Sequence, residues 1–222
     1  MHRLNRSIVA GLVTAASASI FFAWLAHAVM TGTLAWFDLA VRHAIHSLAS
    51  PNLTRAMRGV TQLGSWPFLV ALGVTTGWVL AKRGHIRATV MLAIAALGGE
   101  ALDQVLKLLF RRPRPEAFFG AAPGTYSFPS GHSVESCCFY GALAAIVAVN
   151  LTSFRSKAGI WIASALVTIA VGFSRVYLGV HYPTDVLGGY AVAIVWVSLV
   201  WTGYQVWRGR RNPRHLGNLA IH

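Results

Sequence analysis

Six apolar runs, each nearly free of charge, leave this chain few ways to fold. They lie at roughly 8–30, 64–81, 88–109, 133–152, 158–174 and 186–207, close to the ~20 residues that cross a bilayer as a helix. Inside hydrocarbon every backbone N–H and C=O must be satisfied within the protein, so runs of this kind become helices. The expected fold is therefore all-α: one domain, residues 1–222, built as a bundle of six transmembrane helices. The second and fifth runs are short, and their ends are the least defined. Composition agrees, with 55% hydrophobic and only 11% charged residues, about half the usual charged share. The net charge of +13 might suit nucleic acid in a soluble protein, but here the basic residues sit in short clusters between apolar runs. No nucleic-acid-binding module accompanies them, so the partner expected is the phospholipid bilayer and no nucleic acid.

Charge also orients the bundle. The N-terminus (Arg3, Arg6), the turn Lys82–Arg87, the turn with Arg155 and Lys157, and the basic tail 208–222 carry 11 of the 19 Lys and Arg residues and no acidic residue. The positive-inside rule puts these segments, and both termini, in the cytoplasm. The remaining cations fall on the opposite, periplasmic or extracellular side, where so much positive charge needs a reason such as an anionic ligand. The expected location is a bacterial inner membrane. Ala26-His27-Ala28 after the first apolar run resembles a signal-peptide cleavage site, but the run is long and its removal would leave an odd helix count, so it reads as an uncleaved anchor. Between the first two runs, Trp36, Phe37, Val41 and Ile45 recur at near-helical spacing within 34–48, with Arg42, His43 and His46 among them. This stretch reads either as an interfacial amphipathic helix or as a helix capping the bundle. Cys137 and Cys138 are adjacent and belong to no metal or redox spacing; they read as packing residues.

Three stretches on the outer side carry chemistry. Lys107-x6-Arg114-Pro115 pairs a compact ammonium with a planar guanidinium, both suited to phosphate oxygens. Arg111 and Arg112, between them, read as an ordinary basic loop or as shaping headgroup choice. Pro129-Ser130-Gly131-His132 ends a Gly/Pro-rich loop and opens the fourth span, where a helix N-terminus aims free N–H groups at an anion. There Ser130 adds a hydroxyl, Gly131 permits close backbone approach, and His132 could protonate a departing alkoxide near neutral pH. In Ser174-Arg175-x5-His181-x3-Asp185, Asp185 shares a face with His181 if a helix begins near Pro183. A carboxylate on one imidazole nitrogen fixes the tautomer and frees the other as a nucleophile, while Arg175 can steady transition-state charge.

In order and interval these stretches resemble the three signature motifs of the type-2 phosphatidic acid phosphatase family, KxxxxxxRP, PSGH and SRxxxxxHxxxD. The motif core spans 107–185, and the six-span layout extends the likeness over nearly the whole chain. The resemblance implies that His181 is a nucleophile forming a phosphohistidine, Asp185 its partner and His132 the general acid. It implies that Lys107, Arg114, Ser130, Gly131 and Arg175 bind the phosphate, with no metal and no cofactor. The implied activity is hydrolysis of a membrane lipid phosphate or diphosphate, of the undecaprenyl diphosphate, phosphatidic acid or phosphatidylglycerophosphate type. Alternatives using the same site are a lipid-linked phosphotransferase and a lipid A phosphatase. A non-enzymatic lipid-phosphate binder or transporter would have no need of a His181/Asp185 pair opposite a second histidine. Soluble acid phosphatases and vanadium haloperoxidases share such a site, but the six apolar spans argue against both. No feature assigns an oligomeric state.

Three acidic residues fall within spans, where charge is costly. Asp103 lies four residues before Lys107 and can pair with it on one helical face, with Glu100 a turn further in. Both read either as orienting Lys107 or as protonated bundle structure. Glu135, a turn past His132, could tune that histidine.

Overall fold

In the computed structural model, which describes residues 2–121 and 123–209, eight helices follow one another. They are α1 (His2–Met30), α2 (Ala35–His46), α3 (Pro51–Gln62), α4 (Trp66–Lys82), α5 (Ile86–Phe110), α6 (Gly131–Val149), α7 (Phe154–Tyr177) and α8 (Pro183–Gly209). The described residues contain no strand, and the protein is an all-α membrane protein. The basic tail beyond residue 209 lies outside the described residues.

Helix α6 is the axle of the bundle. Within its span 61% of residues are buried, against 17–33% for α1, α5, α7 and α8. It packs against α4, α5, α7 and α8, and α1 lies along the outside of α8. Lipid tails are as apolar as leucine, so helices here associate through close backbone approach at small residues. Gly99 of α5 faces Cys138 of α6, and Gly189 of α8 faces the Ser130 carbonyl and Ser133. Ala142, Ala144 and Ala145 fill the buried side of α6. Large apolar side chains such as Trp78, Leu108 and Leu166 point outward instead, as a lipid-facing surface requires.

Five helices are long and apolar enough to cross a membrane alone, and the bent pair of α3 and α4 passes the same test of length and composition together. α4 has 17 residues, about 25 Å of helix, short of the ~30 Å hydrocarbon core. It joins α3 through a 47° bend at residues 63–65, where Leu63 ends α3 and Pro67 lies in the first turn of α4. Gly64 sits in the bend, and a Cβ there would strike Val171. The bend lays α3 against α7, over the end of the bundle that carries the three motif stretches.

The expected fifth span, 158–174, is longer than the apolar run implies. α7 begins at Phe154, so Arg155 and Lys157 lie in its first turns rather than in a connecting turn. Long basic side chains bury their stems and reach water with their ends, so charge does not stop the helix. At the N-terminus, Ala26 and Ala28 are buried within α1.

The glycine contacts are testable. Gly189→Ala should lower the melting temperature in detergent, because its Cβ would lie 2.8 Å from both the Ser130 carbonyl oxygen and Ser133 Cβ; overpacking of this kind costs about 1–3 kcal/mol. Gly203→Ala, with no neighbour within 4 Å, should raise it, since alanine is favoured in helices by about 1 kcal/mol.

Candidate active site

The three stretches converge at one end of α6, and backbone hydrogen bonds lock them together. The Ser130 N–H donates to the Asp185 carbonyl at 2.9 Å, joining the second stretch to the third. The Ser127 N–H donates to the Arg112 carbonyl at 2.9 Å, joining the first to the second. The Phe118 N–H donates to the Leu178 carbonyl, closing the first loop onto the third. Gly179 makes this last contact possible: its φ is +78°, and a Cβ would meet the Phe118 nitrogen at 2.5 Å.

His181 is 1% exposed, in the turn between α7 and α8. Its Nε2 receives an N–H from Arg114 at 2.8 Å, and its Nδ1 faces Asp185 Oδ2 at 3.4 Å. A guanidinium has only donors, so Nε2 is the unprotonated nitrogen and Nδ1 carries the proton, with Asp185 Oδ2 3.4 Å away and the Ser127 carbonyl also bonded to the ring. The Nε2 lone pair is occupied here by the Arg114 N–H, which has to give way before that nitrogen can form a bond. Burial pushes the His181 pKa well below its ordinary 6.5, and Arg114, Arg175 and Lys107 push in the same direction. The ring therefore stays neutral and nucleophilic at physiological pH.

Arg114 does more than the sequence implies. Besides touching His181 it donates to the Val180 and Thr125 carbonyls and to the Thr125 hydroxyl, bracing the first loop against the third. Lys107 is buried and paired with Asp103, as their spacing suggests. Gly131 rests on that pair: a Cβ there would meet Asp103 Oδ2 and Lys107 Nζ at 2.9 Å each. Ser130 precedes the first turn of α6 but caps no N–H with its side chain; its hydroxyl is buried and accepts from Ser133. His132 sits in the first turn of α6, half-buried, within electrostatic reach of Arg175, His181, Lys107 and Arg114. Arg175 donates to the Thr61 hydroxyl of α3, while its Nε–H is buried without a protein partner.

Arg112 is no ordinary loop cation. It donates to Asp185 Oδ1 at 2.5 Å, to Asp38 Oδ2 at 2.7 Å and to the Thr184 hydroxyl at 2.8 Å. Asp38, Thr184 and Thr61 were not singled out in the sequence. Asp38 carried a signal nonetheless: the chain has only six acidic residues against 19 basic ones, and this one sits in an amphipathic stretch. The stretch itself caps the bundle with its polar side inward. Asp38 and Arg42 are buried while Trp36 and Leu39 are exposed, and Arg42 donates to the Glu116 and Gly179 carbonyls.

Glu100, Asp103 and Glu135 bring carboxylate oxygens within 4.8 Å of one another, a grouping of the kind that can hold a metal ion. Their spacing in sequence did not announce it, because α5 and α6 bring them together. The Lys107 ammonium already lies on Asp103 as its counter-cation.

Fold and site together define a helical membrane protein with a buried, cation-rich pocket around a neutral histidine. Comparison with known proteins agrees. Residues 87–208 match the PAP2 superfamily, and the chain belongs to it. It is 35% identical to phosphatidylglycerophosphatase B of Bacillus subtilis over 82% of this chain and 90% of that protein. It is 29% identical to undecaprenyl-diphosphatase BcrC of the same organism, over 68% and 76% of the two chains. The solved structure of a transmembrane PAP2-type phosphatidylglycerolphosphate phosphatase from B. subtilis superposes with a TM-score of 0.81 at 30% identity, covering 90% of this chain and 98% of that one. These relatives are lipid phosphatases, and this chain is a hydrolase of that kind.

Two outcomes follow. Asp103→Asn should raise KM by about 10-fold or more, since a charge-assisted hydrogen bond contributes ~1.5–3 kcal/mol, and should also lower the melting temperature, because it leaves the buried Lys107 charge without its counter-ion. The acid side of the stability profile should also report His181. Its folded pKa lies below 6.5, so the unfolded chain gains that proton first and stability is lost as pH falls below about 6.5. His181→Gln should flatten the drop in melting temperature between pH 7.5 and pH 5.

Proposed function

We propose that this protein hydrolyses a membrane lipid phosphate or diphosphate through a phosphohistidine at His181. The observation that carries the reading is the pair of contacts on one buried ring, Arg114 on Nε2 and Asp185 on Nδ1. They leave the lone pair facing the cations that would hold a phosphate.

In the proposed reaction the phosphate displaces the Arg114 N–H from Nε2, and Arg114, Lys107 and Arg175 turn their donors to its oxygens. Nε2 attacks phosphorus, the N–P bond forms, and the P–O bond to the lipid breaks. His132 gives its proton to the departing lipid oxygen. Water then attacks the phosphohistidine, His132 takes up the water's proton, and phosphate leaves with the lone pair restored to His181. Asp185 stabilises the positive charge that develops on the imidazole. Backbone N–H groups at the start of α6 add fixed dipoles toward the same anion. By the family resemblance none of these steps calls for a metal.

The lipid tail has a matching groove. A cavity of about 450 Å³ between α4 and α5 is lined by Leu69, Val74, Trp78, Leu92 and Leu97, with Glu135 at its polar end. Glu135 also faces Gly131, one helical turn away, which sets the cavity beside the phosphate-binding residues. With both termini cytoplasmic by the positive-inside rule, the pocket serves the outer leaflet of the plasma membrane, periplasmic in a Gram-negative host. Phosphatidylglycerophosphate and undecaprenyl diphosphate head the substrate classes, because relatives carry those names.

The deciding experiment is phosphate release by purified protein in detergent with excess chelator, over a panel of lipid mono- and diphosphates. Release that survives chelation and vanishes in His181→Ala is expected. Release that persists in His181→Ala would overturn the assignment of the nucleophile.

A further inference from the structure

Asp185 uses both carboxylate oxygens. Oδ2 accepts the Tyr182 N–H at 2.9 Å and faces His181 Nδ1 at 3.4 Å, while Oδ1 accepts from Arg112 at 2.5 Å. The residue is fully buried, and Arg112 is the only Lys or Arg paired with it in a salt bridge among the described residues. Without Arg112 the carboxylate could turn about its Cβ–Cγ bond, and the oxygen offered to His181 would no longer be fixed.

Arg112 in turn has little to hold it locally. It follows Arg111, the left-handed residue (φ 48°) that ends α5. Its position comes from the far side of the chain. Asp38 of α2 takes its second guanidinium nitrogen at 2.7 Å, and the Tyr182 ring lies 4.2 Å beneath the guanidinium. The same Asp38 accepts the Thr184 N–H at 3.0 Å and the Thr184 hydroxyl at 2.7 Å. One carboxylate thus grips the residue before Asp185 and the cation on Asp185 together. Asp38 is 1% exposed, and it lies outside the segment, 87–208, that matches the family.

We propose that Asp38 and Arg112 are positioning residues for the His181–Asp185 pair, with α2 serving as the outside brace that keeps the Asp185 carboxylate aimed at Nδ1 of the catalytic imidazole. The inference rests on the reading of His181 as nucleophile. A purely structural staple would need only to hold α2 in place. Arg42 already does that, through the Glu116 and Gly179 carbonyls and the face of Phe118 at 4.5 Å. The Asp38 carboxylate is instead spent on Arg112 and the first turn of α8.

The test compares wild type with Asp38→Asn, Arg112→Ala and the double variant, using the panel lipid that wild type hydrolyses fastest. Asp38→Asn and Arg112→Ala should each lower kcat by about 10- to 100-fold, the scale of a misplaced catalytic group. KM should stay within about threefold and the melting temperature within a few degrees, and the double variant should be no worse than Arg112→Ala. Fifteen-nitrogen spectra of histidine-labelled protein read the His181 tautomer without any substrate. They should show protonated Nδ1 in wild type and a shifted Nδ1 resonance, the mark of a weakened bond to Asp185, in both single variants. Unchanged kcat with an unchanged Nδ1 resonance, or additive losses that track the melting temperature, would overturn the proposal. Wild type that releases no phosphate from any lipid would sink the phosphatase reading instead, and the spectra would still decide whether the brace holds Asp185 on Nδ1.

Discussion

Charge inside an apolar bundle survives only when it is paired, and that constraint organises this structure. A charge left alone in hydrocarbon costs several kcal/mol, and breaking a buried pair costs about 3–5 kcal/mol because the survivor is stranded. Four of the six acidic residues are buried, and three of them face a cation directly: Asp38 and Asp185 share Arg112, and Asp103 holds Lys107. Arg114 and Arg175 are left with neutral partners. The pocket therefore carries surplus positive charge beside a neutral imidazole. An incoming phosphate meets that surplus, and the membrane around it strengthens the attraction by excluding water.

Pairing alone would not place atoms; the backbone does. Loops from three parts of the chain are stitched by short hydrogen bonds between Ser130 and Asp185, Ser127 and Arg112, and Phe118 and Leu178. The stitches sit at one end of α6, the most enclosed of the candidate spans. Small residues at the α8 contact let that end close: Gly188 makes room for the ring of Phe128, which stacks on Phe22 and meets Phe110 edge to face. The apolar cavity between α4 and α5 shares one residue with that region, Glu135, which lines the cavity and faces Gly131.

Much of this was legible before any coordinates. Apolar run length reports helix crossing because hydrocarbon allows no other backbone solution, and five of the six runs became spans within a few residues. The exception is informative. The second run became α4, which falls short of a full crossing and continues through the bend at 63–65 into α3, whose polar sequence hid their partnership. Arg155 and Lys157 misled in the opposite direction, since charge near a membrane surface ends an apolar run without ending a helix. The motif residues were readable because phosphate chemistry demands cations, imidazole and a carboxylate at set intervals. Arg112 and Asp38 were not, since nothing local in the sequence of either marks a partner 74 residues away.

By itself, then, the sequence determined the class of fold and the motif residues that could serve phosphate chemistry, all of which depend on local composition and short spacing. Only the tertiary structure decided which nitrogen of His181 is unprotonated, that Arg114 braces two loops while touching His181, and that α2 turns its polar side inward to hold Arg112 on Asp185. Those outcomes depend on distances between segments far apart in the chain. Such distances are fixed by which buried charges find one another when the helices pack.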